Sequence, residues 1–273
     1  MNWKYILIIL ITIVLILRKL IHPIKRLIVF HPNKIINKFP TKYTEFNLQT
    51  NDKQLINGWI VHPSTESNGL YILFSHGNAG NISDRIDFSD VMCSLGYTFI
   101  LYDYRGYGKS TGYPSEKGVY LDSEAVWKYM IDVLKIKPKN IIIYGNSLGT
   151  SVSAYLASKL DGQYKCLILQ APFYSLKYIA ADILPKSLSV LSVFVNEFKT
   201  HQYLEKIKRP ILFIHSKTDG IISCKHSDKL YDEVKKNGKC YADIHYINGG
   251  HNNPILDQNY KQKIITFINQ KSI

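Results

Sequence analysis

Residues 140–158 read NIIIYGNSLGTSVSAYLAS, an apolar run that stops at Gly145-Asn146-Ser147-Leu148-Gly149 and continues in small residues. The run is short and almost continuously apolar, as a strand buried on both faces requires, and the residues after Ser147 read as a helix. A sharp strand-to-helix turn at Ser147 pushes its oxygen outward and forces its backbone toward positive φ. Side chains two residues to either side would then collide, which accounts for glycine at 145 and 149. The helix start also presents free N–H groups and a positive dipole end, both favourable to an oxyanion beside Ser147. The five-residue pattern alone arises by chance in roughly one chain of this size in ten. Its placement between strand and helix is what makes it specific. The bland alternative is a glycine-bounded turn with an idle serine.

Working outward, further short apolar runs cover Gly69–Ser75, Gly96–Asp103, Tyr164–Ala171, Pro210–Ser216 and Tyr241–Asn248. Helix-period segments lie between them, such as Ser115–Lys135. That alternation predicts an α/β fold, a mostly parallel central sheet flanked by helices. YTEFNLQT and QLINGWIVH, nearer the N-terminus, read as a hairpin of exposed-edge strands. Residues 172–209 break the rhythm and read as a short cap insert.

Ligands of such a sheet sit beyond the carboxyl ends of its strands, where Ser147 falls. A serine hydroxyl needs a base and the base an orienting acid, in the chain order Ser, Asp or Glu, His. The downstream histidines are His201, His215, His226, His245 and His251. His215 and His245 fall inside expected strands and read as packing residues, whereas His251 follows the last strand in a loop. Asp219 lies just beyond a strand end, while Asp228, Asp232 and Asp243 read as helix-surface or strand positions. Ser147, Asp219 and His251 are therefore the expected catalytic set. Leu148 N–H is one expected oxyanion donor. The other comes from the HGNAGN loop, with Asn78 first and Ala79 second. His76 reads as a residue that shapes this loop. The insert carries Phe173, Tyr174, Tyr178, Leu184, Leu188, Val190, Leu191, Val193, Phe194, Val195 and Phe198. These residues suit an acyl pocket, with Phe173 and Tyr174 expected to bind substrate, or they pack the insert onto the domain.

The formal charge is +13 over 273 residues, and residues 1–42 hold eight basic residues and no acidic one. Concentrating the excess in the tail argues against a general nucleic-acid-binding surface. Tyr5–Leu17 is apolar except for Thr12 and as a helix spans about 20 Å, short of a roughly 30 Å hydrocarbon core. Trp3, Leu20 and Ile21 extend it if the flanking Lys4, Arg18 and Lys19 snorkel. The expectation is an anchor and basic linker over residues 1–34, ahead of a catalytic domain at 35–273. A cleaved signal and a helix lying in the interface compete with it. Seven of the eight tail charges follow the apolar run, which favours a single-pass protein with its domain in the cytoplasm. Cys93, Cys166, Cys224 and Cys240 form no C-x-x-C pair, so zinc or a disulfide framework is not expected. Asn81-Ile82-Ser83 is the only glycosylation sequon.

Together HGNAGNISDR, LYDYRGYGKSTGYPSEKGVYLD, IYGNSLGTSVSAYLAS, APFYS, HSKTDGIIS and NGGHNNP, spread over residues 76–254, resemble the α/β-hydrolase superfamily. The nearest resemblance is to its membrane-anchored branch, which includes depalmitoylases. It implies Ser147 as nucleophile, Asp219 as acid, His251 as base, and Asn78 and Leu148 as oxyanion donors. It implies that the DYRGYGKS loop shapes the site without entering the chemistry. Palmitate-removing relatives carry an N-terminal cysteine cluster, and this tail has none. The expected activity is hydrolysis of carboxylic esters or thioesters of acyl lipids or acylated proteins, with no cofactor or metal. A serine peptidase of the prolyl-oligopeptidase type shares the residue order, but its propeller does not fit within 273 residues. A catalytically idle scaffold on the same fold is the non-enzyme alternative.

Overall fold

The computed structural model describes residues 26–185, 195–256 and 258–270, together with Tyr5 and Thr12. Ten strands are present among them: β1 (His31–Pro32), β2 (Tyr43–Gln49), β3 (Leu55–Val61), β4 (Tyr71–Ser75), β5 (Ala79–Gly80), β6 (Thr98–Tyr102), β7 (Ile141–Asn146), β8 (Cys166–Gln170), β9 (Ile211–Ser216) and β10 (Ala242–Ile247). The helices are α1 (Ile86–Ser94), α2 (Glu116–Asp132), α3 (Leu148–Lys159), α4 (Leu176–Ile183), α5 (Thr200–Leu204), α6 (Lys225–Asn237) and α7 (Gln258–Gln270).

Eight strands form one sheet in the order β10-β9-β8-β7-β4-β6-β3-β2. From β10 through β6 every pair is parallel, while β3 and β2 run antiparallel. The apolar runs are strands because helices cover both faces. Along β7, Ile141 and Ile143 face one core while Ile142 and Tyr144 face the other, the period-2 alternation of a pleated strand. The expected exposed hairpin is half right. β2 is the edge, but β3 sits between β2 and β6 with six of its seven residues buried. Its Trp59 and Ile56 are fully buried, so QLINGWIVH is an interior strand.

A second, two-stranded sheet was not expected. β1 pairs in parallel with β5, joining His31 to Ala79 and Pro32 to Gly80. Phe30 is buried and meets Phe198 with ring centroids 6.0 Å apart. The boundary drawn after residue 34 is thereby corrected, because residues 30–34 already pack as part of the catalytic domain. The expected anchor over Tyr5–Leu17 lies outside the described residues apart from Tyr5 and Thr12. Among the described residues no helix is long and apolar enough to cross a membrane.

Candidate active site

β7 ends at Asn146 and α3 begins at Leu148, so the whole reversal falls on Ser147. Its φ of 52° and ψ of −119° form a conformation that L-residues seldom adopt. The surroundings enforce it. Ser147 N–H donates to the Gln170 carbonyl at 2.9 Å, and the Ser147 carbonyl accepts from Thr150 N–H at 2.9 Å and Thr150 Oγ1 at 2.6 Å. The two glycines are steric necessities. A Cβ on Gly149 would lie 1.9 Å from the Ser75 carbonyl oxygen, and one on Gly145 would lie 2.4 Å from the Gly149 carbonyl oxygen.

Asp219 follows β9, two strands away from β7, and His251 follows β10 at the same sheet edge. The loops bring all three side chains together. His251 Nε2 lies 3.0 Å from Ser147 Oγ, and His251 Nδ1 lies 2.7 Å from Asp219 Oδ2. Burial alone would raise the Asp219 carboxyl, but contacts from His215 and His251 and the N–H groups of Ile222 and Ile221 outweigh it. They hold it well below the usual carboxylate range. An ionised Asp219 can only accept, so His251 carries its proton on Nδ1 and leaves Nε2 as acceptor for the Ser147 hydroxyl. Thr218 Oγ1 donates to the Gly249 carbonyl at 2.8 Å, tying the Asp219 loop to the His251 loop.

His215, read as a packing residue, has a more specific place. Its Nε2 faces the Ile222 carbonyl at 2.9 Å and Asp219 Oδ2 at 3.3 Å, and its Nδ1 lies 2.6 Å from Ser227 Oγ. It grips the Asp219 loop from below. A histidine in a buried strand four residues before an aspartate carries this signal only once the β9 turn is known.

On the other side of β7, β4 leads into the loop holding Asn78. The Asn78 carbonyl accepts from His31 N–H at 2.9 Å and Tyr107 Oη at 2.6 Å, and Asn78 Nδ2 donates to the Val29 carbonyl at 3.2 Å. Leu148 opens α3, so its N–H has no intrahelical partner. His76 is fully buried against Tyr104, ring centroids 4.1 Å apart, and burial lowers its pKa to about 3. That agrees with a shaping role.

Asp103 and Arg105 of the DYRGYGKS stretch are likewise structural. Asp103 Oδ1 accepts from Ile82 N–H at 2.9 Å, and Arg105 bonds both Asp52 and the buried Asp122. Asn81 is fully buried, and its Nδ2 donates to the Asn33 and Ile35 carbonyls at 3.1 and 2.6 Å. The sequon nitrogen therefore has no room for a glycan in the folded domain.

Phe173 takes the packing alternative, whereas Tyr174 packs against its neighbours and also lines a cavity. Phe173 is buried beside Phe198. Tyr174 stacks on His201 with centroids 4.2 Å apart and donates to Glu233 at 2.9 Å. A cavity of about 490 Å³ beside Tyr174 is lined by His201, Leu204, Leu230 and Val234, and by none of Ser147, Asp219 or His251. A smaller one of about 220 Å³ reaches Asp219 and is bordered by Ile179, Ile183 and Ile221. Ile183 and Ile221 are 71% and 56% exposed, and Asp182, Ser223 and His226 share the lining with the isoleucines beside Asp219. Leu188, Val190, Leu191, Val193 and Phe194 of the insert lie outside the described residues. Among the described residues no group of three His, Cys, Asp or Glu side chains is arranged to hold a metal ion.

With this geometry in hand, the likeness to known proteins is specific. The prolyl oligopeptidase family matches residues 87–272. The chain is 31% identical to protein bem46 of Schizosaccharomyces pombe over 86% of this chain and 80% of that one. It is 31% identical to human alpha/beta hydrolase domain-containing protein 17B over 74% of this chain and 67% of that one. Among solved structures, an esterase of Pyrococcus furiosus superposes with a TM-score of 0.71 at 18% identity, covering 90% of this chain and 99% of that one.

Proposed function

The chain belongs to the prolyl oligopeptidase family within the α/β-hydrolase superfamily, and from that premise we propose that it is a membrane-anchored serine hydrolase of acyl esters or thioesters. The observation that carries this reading is the continuous hydrogen-bonded chain from Ser147 Oγ through His251 to Asp219, at 3.0 and 2.7 Å.

His251 Nε2 takes the Ser147 hydroxyl proton as Oγ attacks the substrate carbonyl carbon. The carbonyl oxygen becomes an oxyanion, held by the Leu148 N–H and the Asn78 N–H. Nε2–H then returns the proton to the leaving alcohol or thiol as its bond to the acyl carbon breaks. A water enters, gives a proton to Nε2 and attacks the acyl-enzyme. The free acid leaves and Ser147 Oγ is reprotonated. Asp219 stays ionised throughout and stabilises the imidazolium.

The acyl part of the proposal is supported by the exposed Ile183 and Ile221 beside Asp219. The anchor is supported by Tyr5–Leu17 and its flanking Lys4, Arg18 and Lys19. The charge bias supports a cytoplasmic side for the domain. A tethered enzyme meets bilayer-resident acyl chains at high local concentration.

The family match favours a second reading, a serine peptidase, so the test runs both substrate types. Full-length protein in micelles is given p-nitrophenyl esters of increasing chain length, a lysophospholipid and peptide p-nitroanilides. Rising kcat/KM with acyl length, and slow anilide cleavage, is the expected result. Fast anilide cleavage supports the peptidase, and activity confined to short esters removes the lipid assignment.

A further inference from the structure

The loop from His76 to Ser83 has little structure of its own. It contains Gly77 and Gly80, the latter at φ +81°, and its only strand is the two-residue β5. The platform beneath it is under-satisfied: His76 Nε2, Asp103 Oδ2 and Arg85 Nε are buried without hydrogen-bond partners. Tyr107 Oη and Arg85 bond the Asn78 and Ala79 carbonyls and Asp84 caps the turn at Asn81, while the segment of residues 29–37 holds the loop along one side.

That segment is stitched to the loop along its length. Val29 accepts from Asn78 Nδ2, and His31 N–H donates to the Asn78 carbonyl at 2.9 Å. Asn33 N–H donates to the Gly80 carbonyl at 3.0 Å, and Asn37 N–H donates to Ser83 Oγ at 3.2 Å. Asn81 Nδ2 returns two bonds, to the carbonyls of Asn33 and Ile35. Lys34 Nζ donates to the Ser110 carbonyl at 2.8 Å, and the Asn33 carbonyl also accepts from Gly108 N–H at 2.9 Å. The far side of the segment is thus fastened to the neighbouring loop. Bonds to the Asn78 carbonyl hold the peptide plane that follows Asn78, and with it one side of the Cα that carries the Asn78 N–H. The side-chain bond to Val29 fixes Asn78 itself.

We infer that residues 29–37 are a positioning strap that sets the aim of the oxyanion donors, so that the segment leading out of the apolar N-terminus is part of the active-site architecture. The inference rests on the reading of Asn78 as an oxyanion donor. It gives the short connection to Tyr5–Leu17 a purpose: no more than twelve residues separate Leu17 from the first stitched residue, Val29.

The test is Asn81→Asp in the full chain in micelles. Aspartate keeps the oxygen that accepts from Ser83 N–H, removes both donors to the strap, and sets an oxygen against two carbonyls. Misaimed oxyanion donors weaken transition-state binding more than ground-state binding. The expected result is a fall in kcat of about tenfold or more, with KM changed less than about twofold. An unchanged kcat, or a loss confined to KM, overturns the strap. Should Asn81→Asp fail to fold by thermal melt, Ser83→Ala removes the Asn37 acceptor and the Ser83 hydroxyl bond to Asn81 Oδ1 while leaving both Asn81 Nδ2 bonds to the strap, and about a threefold fall in kcat at constant KM is expected. An unchanged kcat in that variant overturns the strap equally. Wild-type protein without Ser147-dependent hydrolysis would instead remove the underlying reading.

Discussion

The loops carrying Asp219 and Asn78 stand on opposite sides of β7, and the protein holds them by different chemistry. The Asp219 loop is charged and saturated. Both carboxylate oxygens are occupied: Oδ1 accepts from Ile221 and Ile222 N–H at 2.9 and 2.8 Å, and Oδ2 faces His251 and His215. The Asn78 loop is held by backbone and side-chain bonds from a distant segment, by Tyr107 on the Asn78 carbonyl and by Arg85 on the Ala79 carbonyl, over a buried platform with unpaired polar atoms. A fixed negative charge that must stay ionised needs many donors. An oxyanion donor needs its own N–H left free, so its support has to come from carbonyl and side-chain contacts alone.

The comparison can be broken first on the charged side. Asp219→Ala is expected to lower kcat by about 10⁴-fold with little change in KM, measured on enzyme normalised for folded protein. A loss below about tenfold would mean that the carboxylate does not orient His251. Next comes the elbow between the two loops. Gly149→Ala drives a Cβ against the rigid Ser75 carbonyl and should cost about 3 kcal/mol of unfolding free energy, read from denaturant midpoints. A midpoint like wild type would show that the backbone there is free to move.

His215→Leu sharpens the comparison on the Asp219 side. It removes one of the two imidazoles at Oδ2 and should reduce kcat about tenfold while KM holds. An effect on stability alone would restore His215 to a packing role.

A further comparison, spread over several pH units, probes the platform under Asn78. Burial pushes the Asp103 carboxyl up to about 7. Between its unfolded value of about 4 and that raised value, the folded chain keeps a proton that the unfolded chain releases. Stability from this group is therefore present at low pH and lost as pH rises, by about 1.4 kcal/mol per pH unit. The depressed His76 works in the opposite direction but is common to both proteins when wild type is compared with Asp103→Asn. The stability of wild type relative to Asp103→Asn should fall from pH 4.5 to pH 7 and then stay constant. A pH-independent difference would show that Asp103 titrates normally.

The same contrast explains what was legible in the sequence. The elbow announced itself because its cause is local: a strand, a helix and two glycines within five residues of one serine. The run read as Asn140–Gly145 is β7 over Ile141–Asn146, and Ser115, just before α2, is its N-cap, its side chain accepting from Gly118 N–H. Asp219 and His251 could be chosen because strand ends point to one sheet edge whatever the packing details. The strap was invisible, since residues 29–37 follow no periodicity and their partners are backbone and side-chain groups 46 to 76 positions away. β3 was misread as exposed because pattern alone does not reveal that β6 will cover its outer side. Phe173 and Tyr174 show a further limit: an apolar side chain in an insert reads alike whether it lines a pocket or fills a core.

The central claim is that Ser147 is a nucleophile activated by His251. The direct measurement is fluorophosphonate treatment of the full-length protein, followed by intact mass and peptide mapping. The account predicts a single adduct on Ser147, lost in Ser147→Ala and strongly slowed in His251→Ala. An adduct that persists in Ser147→Ala, or a wild-type protein that takes none, would contradict it.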